Sequence, residues 1–302
     1  MIDDLRLAAR LLLKNKAFTL TAALTLAICI GANTTLFSVV HNVLLSPLPV
    51  PESDRILLMS NSYPKAGADD LGYSGAPDYD DRLRDLTVFE EQAMFTTRTR
   101  SIDEGGTPTR VRTMQATPSF FRLVRVPPRL GRIFTEQEGE VGHEKEVILG
   151  QGLWKTQFGG DPKAIGRELR IDGEPHTIVG VMPAEFVFFD PDAVMWTPLA
   201  FTPEQRSDDS RHSNNWRNIG RLKPGATLLQ AQAQLDALNA ANLDRFPQYK
   251  TLLINAGFHS VAIGLKDYLV RDIRPVLVLM WGGALFVLLI GAVNVANLVL
   301  VR

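Results

Sequence analysis

The chain has 302 residues, a formal net charge of −1, 45% hydrophobic and 22% charged residues, and a single cysteine. So balanced a charge excludes the basic footprint of a nucleic-acid-binding protein. One cysteine excludes an intramolecular disulfide framework, so any folded domain is held by its core alone.

Residues Met1–Lys16 spell a short amphipathic helix for the inner membrane surface. Ile2, Leu5, Ala9, Leu12 and Leu13 recur at helical spacing, with Arg6, Arg10 and Lys14 on another side. Asp3 and Asp4 suit the positive end of its dipole. Such a helix serves equally as an interfacial anchor or as a dock for a cytoplasmic partner. Ala17–Val40 follows, an uncharged apolar run of 24 residues that a helix extends to roughly 36 Å, enough to cross a bilayer. It is too long for the h-region of a cleaved signal peptide. Cys29 lies inside it and cannot serve as a lipoprotein attachment site. Thr21, Thr25, Cys29 and Asn33 recur every fourth residue as a small, polar stripe, the kind that packs against another helix. The alternative is that the hydroxyls bond back to their own helix. Arg6, Arg10, Lys14 and Lys16 ahead of the span place that side in the cytoplasm.

Pro47, Pro49 and Pro51 lead out in extended form. A strand is expected at Ile56–Ser60, a short acidic helix from about Pro77, and a hairpin of Phe89–Ile102 with Thr109–Gln115 around Asp103-Glu104-Gly105-Gly106. Thr117-Pro118 reads as an N-cap with proline at the first helical position. Glu146–Leu149 reads as a strand and Gln151–Phe158 as a helix stopped by Gly159-Gly160. Glu168–Ile171 and His176–Met182 flank Asp172-Gly173, a hairpin turn. Asn218–Leu222 suggests a strand, and Thr227-Leu228-Leu229-Gln230 a capping box opening a helix with Leu228, Ala231, Leu235 and Leu238 on one face. His259–Leu265 is the last expected strand, before a helix running on into a second span. That span, Val276–Val301, is 26 residues long and uncharged. Its Asn294 and Asn297 share a face, beside the small pair Ala292 and Ala296, and are expected to pack against further helices. The expected boundaries are an amphipathic helix at 1–16, spans at 17–43 and 275–302, and an outer domain at 44–274, with both termini cytoplasmic.

Candidate chemistry is sparse. His41, His143, His176, His212 and His259 are dispersed without metal-ligand spacing, so no metal is expected. Gly150-Gln151-Gly152 lacks the third glycine of a dinucleotide loop, and no phosphate-cradling GxxxxGK[ST] or nucleophile elbow occurs, so no catalytic or cofactor-binding residue is assigned. Asp69, Asp70, Asp78, Asp80 and Asp81 miss the calcium-loop spacing and read as a solvated loop and helix start. Two other classes remain open at this point. An extracytoplasmic sensor or scaffold module would continue beyond the second span into a signalling region, and a tethered periplasmic enzyme would show a catalytic constellation.

Several stretches resemble MacB/FtsX-type ABC-transporter permeases, especially the large duplicated permeases of Acidobacteria. They are Leu5-Arg6-Leu7-Ala8-Ala9-Arg10 through Phe18-Thr19, Gly31-Ala32-Asn33-Thr34, Phe120-Phe121 through Leu130-Gly131-Arg132-Ile133-Phe134, Phe158-Gly159-Gly160-Asp161-Pro162 through Ile165-Gly166, Ile171-Asp172-Gly173 through Val179-Gly180-Val181-Met182-Pro183, Gly220 through Thr227, and Phe286–Leu300 with Asn294-Val295-Ala296-Asn297-Leu298. The resemblance implies a membrane protein with two transmembrane helices flanking an α+β periplasmic domain. That domain would have two lobes, a ferredoxin-like lobe and a mixed α/β lobe inserted at about 117–212. It also implies a permease subunit of an exporter or mechanotransmission complex that dimerises and docks a separate ABC ATPase. ATP would bind that partner, the candidate contacts being Leu5, Arg10 and Leu12, and lipid and a periplasmic protein would be further partners. Such permeases carry at least two more spans, so the chain is expected to be a fragment or a half-unit.

Overall fold

The computed structural model describes residues 16–69, 72–103 and 108–300. The expected amphipathic helix with Leu5, Arg10 and Leu12, the turn residues Glu104, Gly105 and Gly106, and Asp70 lie outside the described residues. The chain divides into a helical unit, drawn from Met1–Ser46 and Leu269–Arg302, and an α+β unit, Pro47–Tyr268.

Helix α1 (Lys16–Val40) continues into a π-helical turn at His41–Leu45. Strand β1 (Ile56–Ser62) opens the α+β unit and is buried along its whole length. Helix α2 (Ala76–Asp85) starts at Gly75, whose N–H donates to the Asp78 carboxylate at 3.0 Å. Strands β2 (Phe89–Asp103) and β3 (Thr109–Ala116) form the expected hairpin, with Phe95 opposite Ala116 and Ile102 opposite Thr109. Helix α3 (Ser119–Val124) begins without the expected side-chain cap. The Thr117 hydroxyl instead accepts the Met94 N–H at 3.1 Å and pairs with Ser119 at 2.9 Å. The neighbouring strand outcompetes the helix for that oxygen.

Strands β4 (Leu130–Gly131) and β5 (Glu146–Gly150) precede helix α4 (Gln151–Phe158), which Gly159 ends in the left-handed conformation at φ 62°. Strands β6 (Glu168–Ile171) and β7 (Glu174–Met182) close around Asp172 and Gly173, both at positive φ as a type I′ turn requires. Strand β8 (Ala193–Pro198) has no counterpart among the expected elements. Strand β9 (Arg217–Leu222) leads to helix α5 (Leu228–Arg245), where the Thr227 hydroxyl accepts the Gln230 N–H at 3.2 Å and the Gln230 side chain returns to the Thr227 N–H at 2.9 Å. Ala231, Leu235 and Leu238 are buried, but Leu228 is 43% exposed. At the first helical position its side chain lies beyond the sheet that the later turns cover. Helix α6 (Pro247–Ala256), also unexpected, precedes strand β10 (His259–Gly264) and helix α7 (Leu265–Val270). The chain then turns before helix α8 (Arg274–Leu300). The expected continuous helix is broken there because Pro275 cannot donate to residue 271, and its ring clashes with that carbonyl.

Among the described residues all ten strands join one sheet in the order β10-β1-β9-β2-β3-β8-β5-β7-β4, with β6 pairing to β2 and β7. The first four form an antiparallel 4-1-3-2 arrangement, with α2 and α5 as the crossover helices. This is a ferredoxin-like half whose second and third strands, β2 and β9, are separated by the remaining strands. The other half is mixed: β3 and β8 run parallel, as do β5 and β7, whereas β5 and β8 are antiparallel. Among the described residues the apolar core includes a cluster of Ala76, Tyr79, Met94, Phe201 and Trp216, and two larger ones. Leu57, Met59 and Phe89 pack with Leu235 and Leu238 on one side, and Val147, Leu149 and Trp154 with Ile178 and Met195 on the other.

In the helical unit, Thr19–Leu45 and Arg274–Asn297 are long and apolar enough to cross a membrane. They pair along a seam that repeats every three or four residues once half-buried side chains are included: Ala22, Thr25, Cys29, Asn33, Leu36 and Val40 on α1, and Leu277, Trp281, Ala284, Leu288 and Gly291 on α8.

Candidate functional site

The stripe expected on the first span meets α8 only in part. Asn33 donates its amide to the Ala284 carbonyl at 2.8 Å and to Cys29 of its own helix at 3.0 Å. Cys29 points its thiol at the Val287 carbonyl, 3.8 Å away. Gly291 lies directly opposite, where a Cβ would approach the Cys29 sulfur to 2.8 Å and Thr25 to 3.9 Å. Thr25 bonds back to the Thr21 carbonyl at 2.8 Å, and Thr21 is exposed. A four-residue spacing drifts about 40° per step around a helix of 3.6 residues per turn, so the stripe leaves the seam toward its N-terminal end. Asn294 and Asn297 are exposed on α8, away from the α1 seam.

The polar features of the α+β unit centre on arginines that the sequence reading did not single out. Arg82 on α2 is 2% exposed and donates to four neutral oxygens: Ser74 at 2.7 Å, Asn218 at 3.0 Å, Asn61 at 2.8 Å and Ser260 at 3.3 Å. Asn61 in turn donates to Asp78 at 2.7 Å, so the nearest countercharge is relayed through an amide. Burial pulls the Arg82 pKa down, and Asp78 opposes it. At the edge of this network His212 receives or donates a 2.8 Å hydrogen bond with the Tyr63 hydroxyl and packs edge-on against Phe258. Burial lowers the His212 pKa and raises that of Tyr63, so both are held neutral.

Strand β9 carries two more arginines on its other face. Side chains alternate along a strand, so Asn218, Gly220 and Leu222 face α2 and α5, while Arg217, Ile219 and Arg221 face the opposite way. Arg221 is fully buried and donates to three carbonyls: Leu123 on α3 at 2.7 Å, Pro51 at 2.9 Å and Glu52 at 3.1 Å. Burial, reinforced by Arg125, lowers its pKa. Glu52 has φ 48°, a conformation that a non-glycine residue keeps only when its surroundings hold it. Its carboxylate bridges Arg55 at 2.7 Å and Arg125 at 2.6 Å, and both arginines also reach Glu90.

Arg217 sits between two rings, 4.3 Å from the Tyr73 centroid and 4.5 Å from that of Phe189. Phe189 is itself at φ 64° and stacks on Tyr268 of α7, with centroids 6.2 Å apart. The hydroxyl of Tyr268 fills the space that a Cβ on Gly72 would occupy, 2.2 Å away. What these groups can do is fasten, because the guanidiniums are engaged by carbonyls, amide and hydroxyl oxygens, carboxylates and aromatic faces. An arginine set between apolar residues near the end of a strand, as in Ile219-Gly220-Arg221-Leu222, is the signal that could have found Arg221.

Residues 19–238 match the family of the MacB-like periplasmic core domain. The fold is similar to a domain of a putative permease protein from Porphyromonas gingivalis, with 18% identity, 72% of this chain and 93% of that chain covered, and a TM-score of 0.55. It is also similar to the periplasmic region of MacB from Actinobacillus actinomycetemcomitans, with 11% identity, 77% and 98% of the two chains covered, and a TM-score of 0.50. No curated protein matches the chain in sequence. Since the family match spans well over half of the chain and runs from the first apolar helix into α5, the chain belongs to the MacB-like periplasmic core domain family of MacB/FtsX-type ABC permeases.

Proposed function

We propose that the chain is the permease subunit of an ABC-type exporter or mechanotransmission complex, with its periplasmic core driven by a separate ATPase. The observation that supports this reading best is a ferredoxin-like domain, split by a second half, set in the chain between two helices of membrane-crossing length. In this reading residues 44–274 are periplasmic, with a second lobe at about 117–212, and both termini are cytoplasmic because Arg6, Arg10, Lys14 and Lys16 flank the first span. ATP binds and is hydrolysed in the partner, which docks on Leu5, Arg10 and Leu12. Two copies, or two permease halves, face one another in the inner membrane, and ATP binding biases a two-state dimer that the periplasmic domain reads out.

Co-expression with an ABC ATPase encoded beside this chain tests the reading. The two should co-purify in detergent, and Arg10→Glu with Leu12→Glu should abolish the complex. If the intact chain binds no such ATPase, and its thermal midpoint instead rises with a small periplasmic ligand, the permease reading fails in favour of a sensor.

A further inference from the structure

The two chain connections of the α+β unit converge on one strand. The inbound segment, Pro47–Glu52, follows α1 and its π-helical turn, and the outbound segment passes through α7 toward α8. Arg221 holds the first by the carbonyls of Pro51 and Glu52. Four residues earlier on the same face of β9, Arg217 holds the second through the layered stack of Phe189 and Tyr268. Each arginine also reaches the other half of the sheet. Arg221 bonds the carbonyl of Leu123 in α3, and Phe189 belongs to the loop before β8, where Arg112 of β3 grips Asp190 at 2.7 Å.

We propose that β9 is the coupling strand of this domain, and that Arg217 and Arg221 are positioning residues which fasten the outbound and inbound connections to it. A displacement of either connection then reaches both halves through one rigid element instead of dissipating in loops. Three features support this over simple core packing. A fully buried guanidinium that donates to three main-chain carbonyls from two separate segments, with the Glu52 and Glu90 carboxylates farther off at 3.6 and 3.8 Å, specifies position more than it contributes stability. Glu52 and Phe189 are both kept at positive φ where these clamps grip. Finally, the two arginines share a face of β9 while its other face packs against the crossover helices. The meaning of such a displacement rests on the permease reading, but the clamps themselves do not.

Hydrogen exchange on the full chain in nanodiscs tests the proposal. Arg221→Met should speed exchange in peptides covering 51–56 and 120–126 by roughly ten- to a hundredfold, leaving 186–192 and 265–270 protected. Arg217→Met should do the reverse, by about three- to thirtyfold. Arg221→Lys keeps the charge but cannot span three carbonyls, and should reproduce most of the Arg221→Met effect. Should Arg221→Met fail to fold, Phe189→Leu, which removes the ring between Arg217 and Tyr268 without burying a new charge, should loosen 186–192 and 265–270 while 51–56 and 120–126 stay protected. Exchange that rises evenly across the sheet, or stays unchanged in these segments, overturns the proposal. In complex with the ATPase, the arginine variants should retain binding but lose any nucleotide-dependent protection change in 120–126 and 186–192. Loss of ATPase binding by the unaltered chain would overturn the permease reading and leave the exchange pattern to judge the clamps.

Discussion

Arg82 illustrates how a residue can be costly to bury and still hold a structure together. Its charge is desolvated, yet its four hydrogen bonds satisfy side chains on β1, β9, β10 and the loop before α2. Replacing it with methionine removes a donor from each of those oxygens and takes away the buried cation whose charge Asn61 relays to Asp78. The expected loss is about 3–5 kcal/mol, read as a lower denaturation midpoint of the full chain in detergent. Arg82→Lys should fall between the two. His212 adds a pH dependence. Burial holds its folded pKa below the ordinary 6.5, with Arg211 and Arg82 acting in the same direction and Asp78 against them. The unfolded chain therefore binds the extra proton first, so this contribution is complete above pH 6.5 and is lost as pH falls from there toward the folded value. His176, also lowered by burial, adds to the same slope. His212→Asn suits the local φ of 68° and should flatten the fall in midpoint between about pH 6.5 and 5. An unchanged slope would assign the effect to His176.

At the scale of elements, local rules decided most of what could be read in advance. The Thr227 capping box is one case: Thr227→Ala should cost about 1 kcal/mol, whereas Thr227→Ser should be nearly neutral in the same unfolding experiment. Turns carried by Asp172-Gly173 and Gly159 were equally legible, because a positive φ restricts the choice of residue. What escaped was set by tertiary context. Strand β8 is only six residues and, although Asp190-Pro191-Asp192 turns the chain just before it, it exists because β3 and β5 offer it edges on either side. Thr117 lost its cap role to β2, and nothing local announces the burial of Arg82 or the ring contacts of Arg217. The paired spans give a further test through the lone cysteine, which the seam buries to 6% exposure. Gly291→Leu would force a side chain against Cys29 and part the helices. Thiol labelling of Cys29 by an uncharged maleimide in detergent should then accelerate about tenfold. An unaltered labelling rate would mean that α1 and α8 separate without that contact.

For the whole molecule, the architecture rests on one 15-residue strand, β2, whose first part pairs with β9 and whose later part pairs with β3 and β6. That arrangement lets a ferredoxin-like half be interrupted without losing its sheet, and periodicity alone does not reveal it, because the closing strand, β9, comes more than 100 residues later. Assembly beyond one chain turns on a different feature. Asn294 and Asn297 lie three residues apart on an apolar helix and remain exposed after α1 has packed. An amide facing hydrocarbon seeks a partner, and interhelical hydrogen bonds in membranes contribute about 0.6–2 kcal/mol each. Insertion does not need them, because the surrounding leucines, valines and isoleucines favour it strongly. Replacing both by leucine should therefore leave membrane insertion intact while weakening self-association roughly 10- to 100-fold. Crosslinking across a dilution series in membranes measures the two separately. If the double variant associates as tightly as the unaltered chain, the asparagines do not face a second copy, and the dimer of the proposed function would have to form through another face of α8 or through the α+β unit.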